Sequence, residues 1–141
     1  MTVPVIVQED AEKVLVSYLR TALALRSEPY AEGVEVHARL PKAVPARILW
    51  VREVNSFRRN VAVQQVTFTI DVFAEDKATR KRLGYLAEGL IYAAEGQVSE
   101  GATLYAPATN VGPNEGPNPW VSTETIVRMT MTVGIRRKQL A

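Results

Sequence analysis

Apolar residues near the start of the chain recur at the spacing of an α-helix. From residue 11 onward they fall at i, i+3, i+4 and i+7, which places their side chains along one side of a helix. Asp10, directly before this pattern, is a favourable N-cap, and Pro29 and Gly33 follow it. We predict an amphipathic helix after an extended or loose lead-in at residues 1–9, with an apolar stripe of Ala11, Val14, Leu15, Tyr18, Leu19, Ala22 and Leu23.

Three strand-like segments come next. Residues 34–40 alternate between apolar and polar, as half-buried strands do, and two prolines then fix a loop at residues 41–45. Residues 47–54 are apolar on both faces at their centre, which is typical of an interior strand. The longest segment, residues 61–74, predicts a strand with an apolar face of Val66, Phe68, Ile70 and Val72 and a wetter face of Thr67, Thr69 and Asp71.

A second helix and two further strands complete the pattern. Asp76 is the N-cap candidate of this helix, and Gly96 is a plausible stop. Residues 102–112 predict a short strand, and residues 123–135 alternate as a last strand. Between them, residues 112–120 carry three prolines and two glycines and predict an exposed loop. The apolar stripe predicted for the second helix consists of Leu83, Leu86, Ala87, Leu90, Ile91 and Ala94.

This order of elements predicts an α+β fold. The order is α-β-β-β-α-β-β, and two helices of this length can cover one face of a four- to five-stranded mixed or antiparallel sheet. The length suits a single domain over residues 1–141, with the lead-in at 1–9 and a basic tail at 136–141. We find no internal repeat and no second domain.

Composition narrows the class of protein. The 141 residues carry a net charge of +2 and no cysteine. Disulfides and thiolate metal sites are therefore excluded, and so small a charge gives no argument for nucleic-acid binding. The first residues lack the pattern of a secretion signal, and no apolar run approaches the ~20 residues of a membrane span. We expect no membrane partner.

Side chains that carry chemistry are few and isolated. His37 is the single histidine, so a metal site would need carboxylates as its other ligands, and a solvated strand position is the simpler interpretation. The acid pairs Glu9–Asp10 and Glu75–Asp76 precede helices, where carboxylates favour the helix dipole. The chain has no phosphate-binding glycine loop and no nucleophile motif. The sequence predicts no enzyme, no cofactor and no metal site.

Basic and aromatic residues are the remaining candidates. Lys77 and Arg80 lie in the first turns of the second helix, where positive charge does not favour the dipole, although a solvated helix face would also explain them. Two adjacent arginines lie where a hairpin should turn. Aromatic residues and arginine are enriched at interface centres. The candidate assembly or channel contacts are therefore Arg58, Arg59, Lys77, Arg80, Trp120 beside the proline-rich loop and Arg128 on the last strand.

The order and local features of the chain resemble a known family. An N-terminal helix opens with DAEKVLVSYLR, a short strand ends in VHARLP, and an arginine-bearing hairpin joins two strands in RILWVREV…RRNVAVQQVTFTIDVFAED. The helix ATRKRLGYLAEGLIYAA follows, and GATLYAPATNVGPNEGPNP leads into a last strand with a basic end, IVRMTMTVGIRR. In this pattern, over nearly its whole length, the chain is similar to the tail terminator proteins of long, non-contractile-tailed bacteriophages, especially the actinobacterial-phage type.

This resemblance implies a structural virion protein without a cofactor. Members form a hexameric ring that caps the finished tail tube, ends the addition of tube protein and offers a surface to the head-side connector protein. DNA passes through the lumen without sequence-specific binding. The resemblance places the protein at the tail–neck junction of the virion and in the host cytoplasm during assembly. The family has no short motif that assigns contact residues to this chain.

Several alternatives remain open at this point. The paired arginines Arg58 and Arg59 can contact a neighbouring subunit or the tube, because an arginine fork pairs well with carboxylates across an interface. They can also line the DNA channel or lie solvated at a turn. The whole chain could instead be a head-completion or neck connector protein, or a small nucleic-acid-binding module with salt-sensitive DNA affinity.

Overall fold

Two helices and a six-stranded sheet make up the described part of the protein. The computed structural model describes residues 10–58, 63–118 and 125–136. The predicted α+β class is confirmed, while the predicted sheet of four to five strands is at least one strand too small. In chain order the elements are helix α1 (Ala11–Ala24), a 3₁₀ turn (Pro29–Ala31), strands β1 (Glu35–His37), β2 (Ile48–Arg58) and β3 (Val63–Phe73), helix α2 (Lys77–Tyr92), and strands β4 (Val98–Ser99), β5 (Ala102–Pro117) and β6 (Thr125–Arg136).

Both helices begin at the predicted caps. The carboxylate of Asp10 accepts hydrogen bonds from the backbone N–H groups of Glu12 and Lys13, at 3.0 and 3.3 Å. The carboxylate of Asp76 accepts one from the N–H of Thr79 at 2.7 Å. These bonds satisfy N–H groups that have no partner within the helix. The predicted apolar stripes face the core, with partial exposure at Tyr18, Ala22, Leu86 and Leu90.

The sheet is mixed and curled, with strand order β1-β2-β3-β6-β5-β4. Neighbouring strands run antiparallel, except that β1 is parallel to β2. The register aligns the apolar positions of the long strands, because Ile70 on β3 lies opposite both Val51 on β2 and Met129 on β6. Val66, Phe68, Ile70 and Val72 are fully buried, as predicted.

Both helices pack on this apolar face of the sheet, where they share one core with the strands. Helix α1 also contacts strands near both ends of the curled sheet. At one end, the carboxylate of Glu12 accepts a hydrogen bond from the N–H of Glu53 on β2 at 2.8 Å. At the other end, the hydroxyl of Ser99 on β4 donates to the carbonyl of Val14 at 2.7 Å. The opposite face, which we call the open face, carries no helix among the described residues.

The extra strand, β4, arises from a two-residue turn. Glu100 and Gly101 both have positive φ, 50° and 74°, and they connect Ser99 directly to its partner Ala102. Two positive φ values are the signature of the tight hairpin turns that suit the twist of a sheet, and glycine at the second position favours them. The consecutive residues Glu100 and Gly101 indicate such a turn in the sequence, but no strand was predicted at residues 98–99.

The proline-rich segment was wrongly predicted as an exposed loop. Strand β5 continues to Pro117 and pairs with β6 as far as Thr125. The register of the pairing between β5 and β6 shifts three times between Tyr105 and Asn114. Each shift accommodates extra residues of β5 that have no directly opposite residue on β6. Prolines are tolerated there because β4 covers β5 only at Ala102 and Thr103, so the outer side of β5 needs few N–H donors.

Candidate functional site

Residues 53–58 of β2 and 63–67 of β3 form the outer end of the β2–β3 hairpin, which we call the hairpin arm. Strand β3 stays paired with β6 along the arm and keeps Val66 buried in the core. The six β2 residues of this arm are all exposed. A bulge between Glu53 and Asn55 lies where the exposed part of β2 begins. Two large apolar side chains on the arm are exposed, Val54 by 61% and Phe57 by 55%. Exposed apolar side chains on an extended strand are typical of a contact surface.

Arg58 lies at the far end of this arm. It is the last residue of β2, is exposed, and pairs in register with Gln64 on β3. The structure therefore places it at the hairpin, as predicted, although β2 runs four residues further than the predicted strand. Arg59 and Trp120 lie outside the described residues, so the structure does not position these two candidates.

Arg128 belongs to a charged cluster on the open face. Its Nε and Nη2 atoms donate to the two carboxylate oxygens of Asp71 at 2.7 and 3.1 Å. Arg52 donates to the same carboxylate through Nη2 at 2.5 Å. The hydrogen bonds to Asp71 raise the pKa of Arg128, because they stabilise the charged guanidinium. The guanidinium of Arg52 also lies 4.0 Å from the ring centre of Trp50, a cation–π contact.

Asp71 was placed on a wetter strand face, and this expectation was wrong in one respect. Its side chain is on the predicted face but is fully buried, whereas the side chains of Arg52 and Arg128 are 32% and 45% exposed. The two arginines cover the carboxylate with their apolar stems and guanidinium groups. A lone aspartate inside an apolar strand was the signal in the sequence, and its partners became evident only from the pairing of β2, β3 and β6.

Lys77 and Arg80 are both engaged within the chain. They lie 3.5 and 3.8 Å from the carboxylate of Glu115 on β5. Arg80 also donates to the hydroxyl of Thr125 at 2.9 Å and to the carbonyl of Ala74 at 3.1 Å, and its side chain is only 14% exposed. Arg80 therefore joins the start of α2 to the ends of β3, β5 and β6. The side chain of Lys77 is 67% exposed and remains accessible.

Potential metal-ligating side chains are not grouped in the described part of the chain. His37 pairs with Glu35 at 2.9 Å beside a groove of about 530 Å³ between α1 and β1. Across residues 10–58, 63–118 and 125–136, no three histidine, aspartate or glutamate side chains are grouped so that they could hold a metal ion. Neither described helix has the length and apolar character needed to cross a membrane.

Comparison with known proteins does not identify a family for this chain. No protein-family model matches the chain, and no curated protein matches its sequence.

Proposed function

We propose that this chain is a structural subunit of a phage tail. Several copies form a ring at the head-proximal end of the tail tube, end tube polymerisation and provide the surface that joins the head. Support comes first from the pattern of elements, which resembles tail terminators of long non-contractile tails over nearly the whole chain. On this proposal the protein functions in the virion, at the tail–neck junction.

The hairpin arm is the observation that carries the proposal. A closed ring of identical subunits needs two different surfaces on each subunit, because every copy contacts its neighbours head to tail. The β2 strand of the arm exposes Val54, Phe57 and Arg58. Apolar side chains beside an arginine fit the composition of interface centres, where arginine pairs with carboxylates of the partner.

The charge distribution favours a structural role over a nucleic-acid-binding module. Several of the basic side chains that could contact phosphates are already paired with carboxylates of the same chain. Arg128 pairs with Asp71, Arg80 with Glu115, and Arg47 with Glu75. A paired guanidinium contributes less to phosphate binding, because its charge is already compensated and its donors are partly used. DNA passing through the ring would therefore meet weak, sequence-independent contacts.

The first test of this proposal is assembly. The purified protein, mixed with polymerising tail-tube protein, should form rings visible by electron microscopy at one end of each tube and should stop tube growth. Tubes that grow to the same length with and without the protein would contradict the proposal. Rings that leave tube length unchanged but bind the isolated head-side connector would point to the neck connector instead.

The second test uses charge reversal at the arm. Arg58→Glu with Arg59→Glu should leave the subunit folded and produce overlong tubes, because opposed like charges at an interface cost several kcal/mol. The matched control is Lys42→Glu with Lys81→Glu, which reverses two exposed lysines away from the arm. The control should cap tubes normally. Normal tube length with the arm variant, together with impaired DNA delivery, would assign the arginines to the channel.

A further inference from the structure

A groove between α1 and β4 carries the two most exposed large apolar side chains of the described residues. It has a volume of about 520 Å³ and is lined by the second half of α1, the end of α2 and residues 97–100. Leu25, which follows α1, is 81% exposed, and Val98 on β4 is 68% exposed. The small side chains of Ala22 and Ala93 also line the groove and leave room for a large side chain of a partner. Exposed apolar side chains grouped in one concave surface are typical of a binding surface.

The groove also has a negative electrostatic character. Helices α1 and α2 both end there, with Leu25 and Ala93 as their C-caps, and neither helix has a basic residue in its last turn. The C-terminal end of a helix carries a partial negative charge of about half an elementary charge. Glu100 lines the groove as well, where its carboxylate accepts a hydrogen bond from the hydroxyl of Ser17 at 2.8 Å and lies 3.8 Å from the ammonium group of Lys13. The groove therefore suits a partner that presents an apolar side chain next to a positive charge.

The hairpin arm presents this combination. Phe57 is 55% exposed, and the adjacent Arg58 is exposed at the end of β2. A phenyl ring gains by leaving water for an apolar groove, while a guanidinium interacts favourably with carboxylates and with helix C-termini. The arm and the groove are therefore complementary in both apolar character and charge.

The arm does not fill the groove of its own subunit. Strands β3, β6 and β5 lie between β2 and β4, so four interstrand steps of about 4.8 Å each separate these two strands along the sheet. Among the described residues, those that line the groove include none from the arm. An arm that fills the groove therefore belongs to another copy of the chain.

Strand register places the arm and the groove at the same end of the sheet. Gln64 on β3 lies opposite both Arg58 on β2 and Ile135 on β6. Ile135 lies opposite Leu104 on β5, next to the short pairing of β5 with β4. Copies in a closed ring are related by rotation, so contacting surfaces lie at the same level along the ring axis. The arm and the groove meet this requirement when the ring axis runs along the strands.

We propose that the arm of each subunit inserts Phe57 into the groove of the next copy of the chain, between Leu25 and Val98. In this contact Arg58 lies beside Glu100 and the two helix C-termini. The contact is head to tail, because the arm and the groove are different surfaces of the same subunit. This inference rests on the ring proposed above and identifies the two surfaces that build it.

Engineered disulfides test this contact directly. The chain has no cysteine, and a disulfide requires Cα atoms within about 7 Å. Phe57→Cys is combined with Val98→Cys in one variant and with Leu25→Cys in another, and each variant is assembled on tail tubes and mildly oxidised. At least one of the two should give a ladder of covalent oligomers on non-reducing gels, up to the full ring. A mixture of the corresponding single-cysteine chains should stop at dimers, because each copy then has only one reactive surface.

The matched control is Phe57→Cys with Tyr85→Cys, because Tyr85 on α2 is 59% exposed but does not line the groove. It should give no ladder. A ladder with this pair alone would overturn the proposal and assign the arm to the exposed side of α2. Rings at tube ends in which neither test pair cross-links would overturn this proposal and leave the ring itself standing. Failure of the unmodified chain to form rings would overturn both.

A charge placed in the groove gives an independent measurement. Val98→Lys should leave the subunit folded, because Val98 is exposed, and should raise the protein concentration needed for ring formation at least tenfold, because the new charge opposes Arg58. The control Val111→Lys makes the same change at a position on β5 that is 53% exposed and outside the groove, and it should assemble like the parent chain. Circular dichroism checks the fold of both variants. Equal ring formation by the two variants would show that the groove is not part of the contact.

Discussion

Ile70 and Asp71 are consecutive on β3, and both side chains are completely buried. They lie on opposite faces of the sheet. Ile70 lies between Val51 and Met129 on the face covered by the helices. Asp71 lies on the open face and is covered by the guanidinium groups of Arg52 and Arg128. The same degree of burial therefore has two physical causes.

The two faces of the sheet are stabilised by different interactions. The helix-covered face is stabilised by removal of apolar surface from water, a contribution that depends little on salt or pH. The open face is stabilised by a carboxylate and two arginines that remain partly exposed, so its arrangement responds to charge. Arg52 and Arg128 remain partly exposed on the open face, whereas the helix-covered face is buried in the core.

The largest expected effect is on the helix-covered face. Phe68→Ala should lower the free energy of unfolding by about 3–5 kcal/mol, because it removes a fully buried ring from the core. Thr67→Ala, one residue earlier on the open face, removes a hydrogen bond of 3.0 Å to Thr132 and should cost about 1 kcal/mol. Urea unfolding measures both. Similar costs at the two sites would mean that the faces do not differ as described.

The next effect tests the open face itself. Asp71→Asn should cost about 2–3 kcal/mol, below the ~3–5 of a fully buried pair, because the two arginines are partly exposed. Glu75→Gln is the matched control. Glu75 also pairs with an arginine, Arg47, at 2.6 Å, but its side chain is 44% exposed, so its loss should cost less than the loss of Asp71. If Asp71→Asn lowers the free energy of unfolding no more than this control, the cluster of Asp71 with Arg52 and Arg128 does not stabilise the open face.

A smaller effect measures how closely α2 approaches the sheet. A Cβ atom added at Gly84 would lie 2.9 Å from Cγ1 of Val127 and 3.2 Å from Cβ of Pro113. Gly84→Ala should therefore destabilise the protein by about 1–3 kcal/mol. Gly89→Ala in the same helix meets nothing within 4 Å and should stabilise it by about 0.5–1 kcal/mol. Melting temperatures that shift in the same direction for both variants would contradict this packing.

The smallest effect is an acid dependence at the start of α2. Hydrogen bonds from the backbone of Thr79 lower the pKa of Asp76, and those from Arg47 lower the pKa of Glu75. A lowered pKa means that the folded state prefers the charged carboxylate. This stability is complete above the ordinary pKa values of 3.8 and 4.5 and is lost as the pH falls through the lowered values.

The double variant Asp76→Asn with Glu75→Gln should flatten this acid dependence. Asparagine keeps the cap, so stability near pH 7 should change little. Chemical unfolding measured from pH 7 down to pH 3 should show a smaller loss for the variant than for the parent chain. An unchanged slope would place the acid-sensitive groups elsewhere in the molecule.

The sequence by itself determined the features that depend on neighbouring residues. Asp10 and Asp76 cap helices because a short carboxylate reaches N–H groups two or three residues ahead. The alternation from Val66 to Val72 fixes one buried strand face, because successive side chains point to opposite sides. These local rules predicted the α+β class, both helices and strands β2, β3 and β6. They also placed Arg58 at the hairpin.

Only the tertiary structure decided the features that depend on distant pairing. Asp71 meets Arg128 across 57 positions of sequence, and nothing local shows that β3 and β6 are neighbours. Pro113 and Pro117 lie in a strand because β5 is largely uncovered on its outer side, a fact set by strand order. Arg80 contacts Glu115 and Thr125 because α2 packs against the sheet. A side chain's exposure is set by which strands and helices meet around it, and that information is spread over the whole chain.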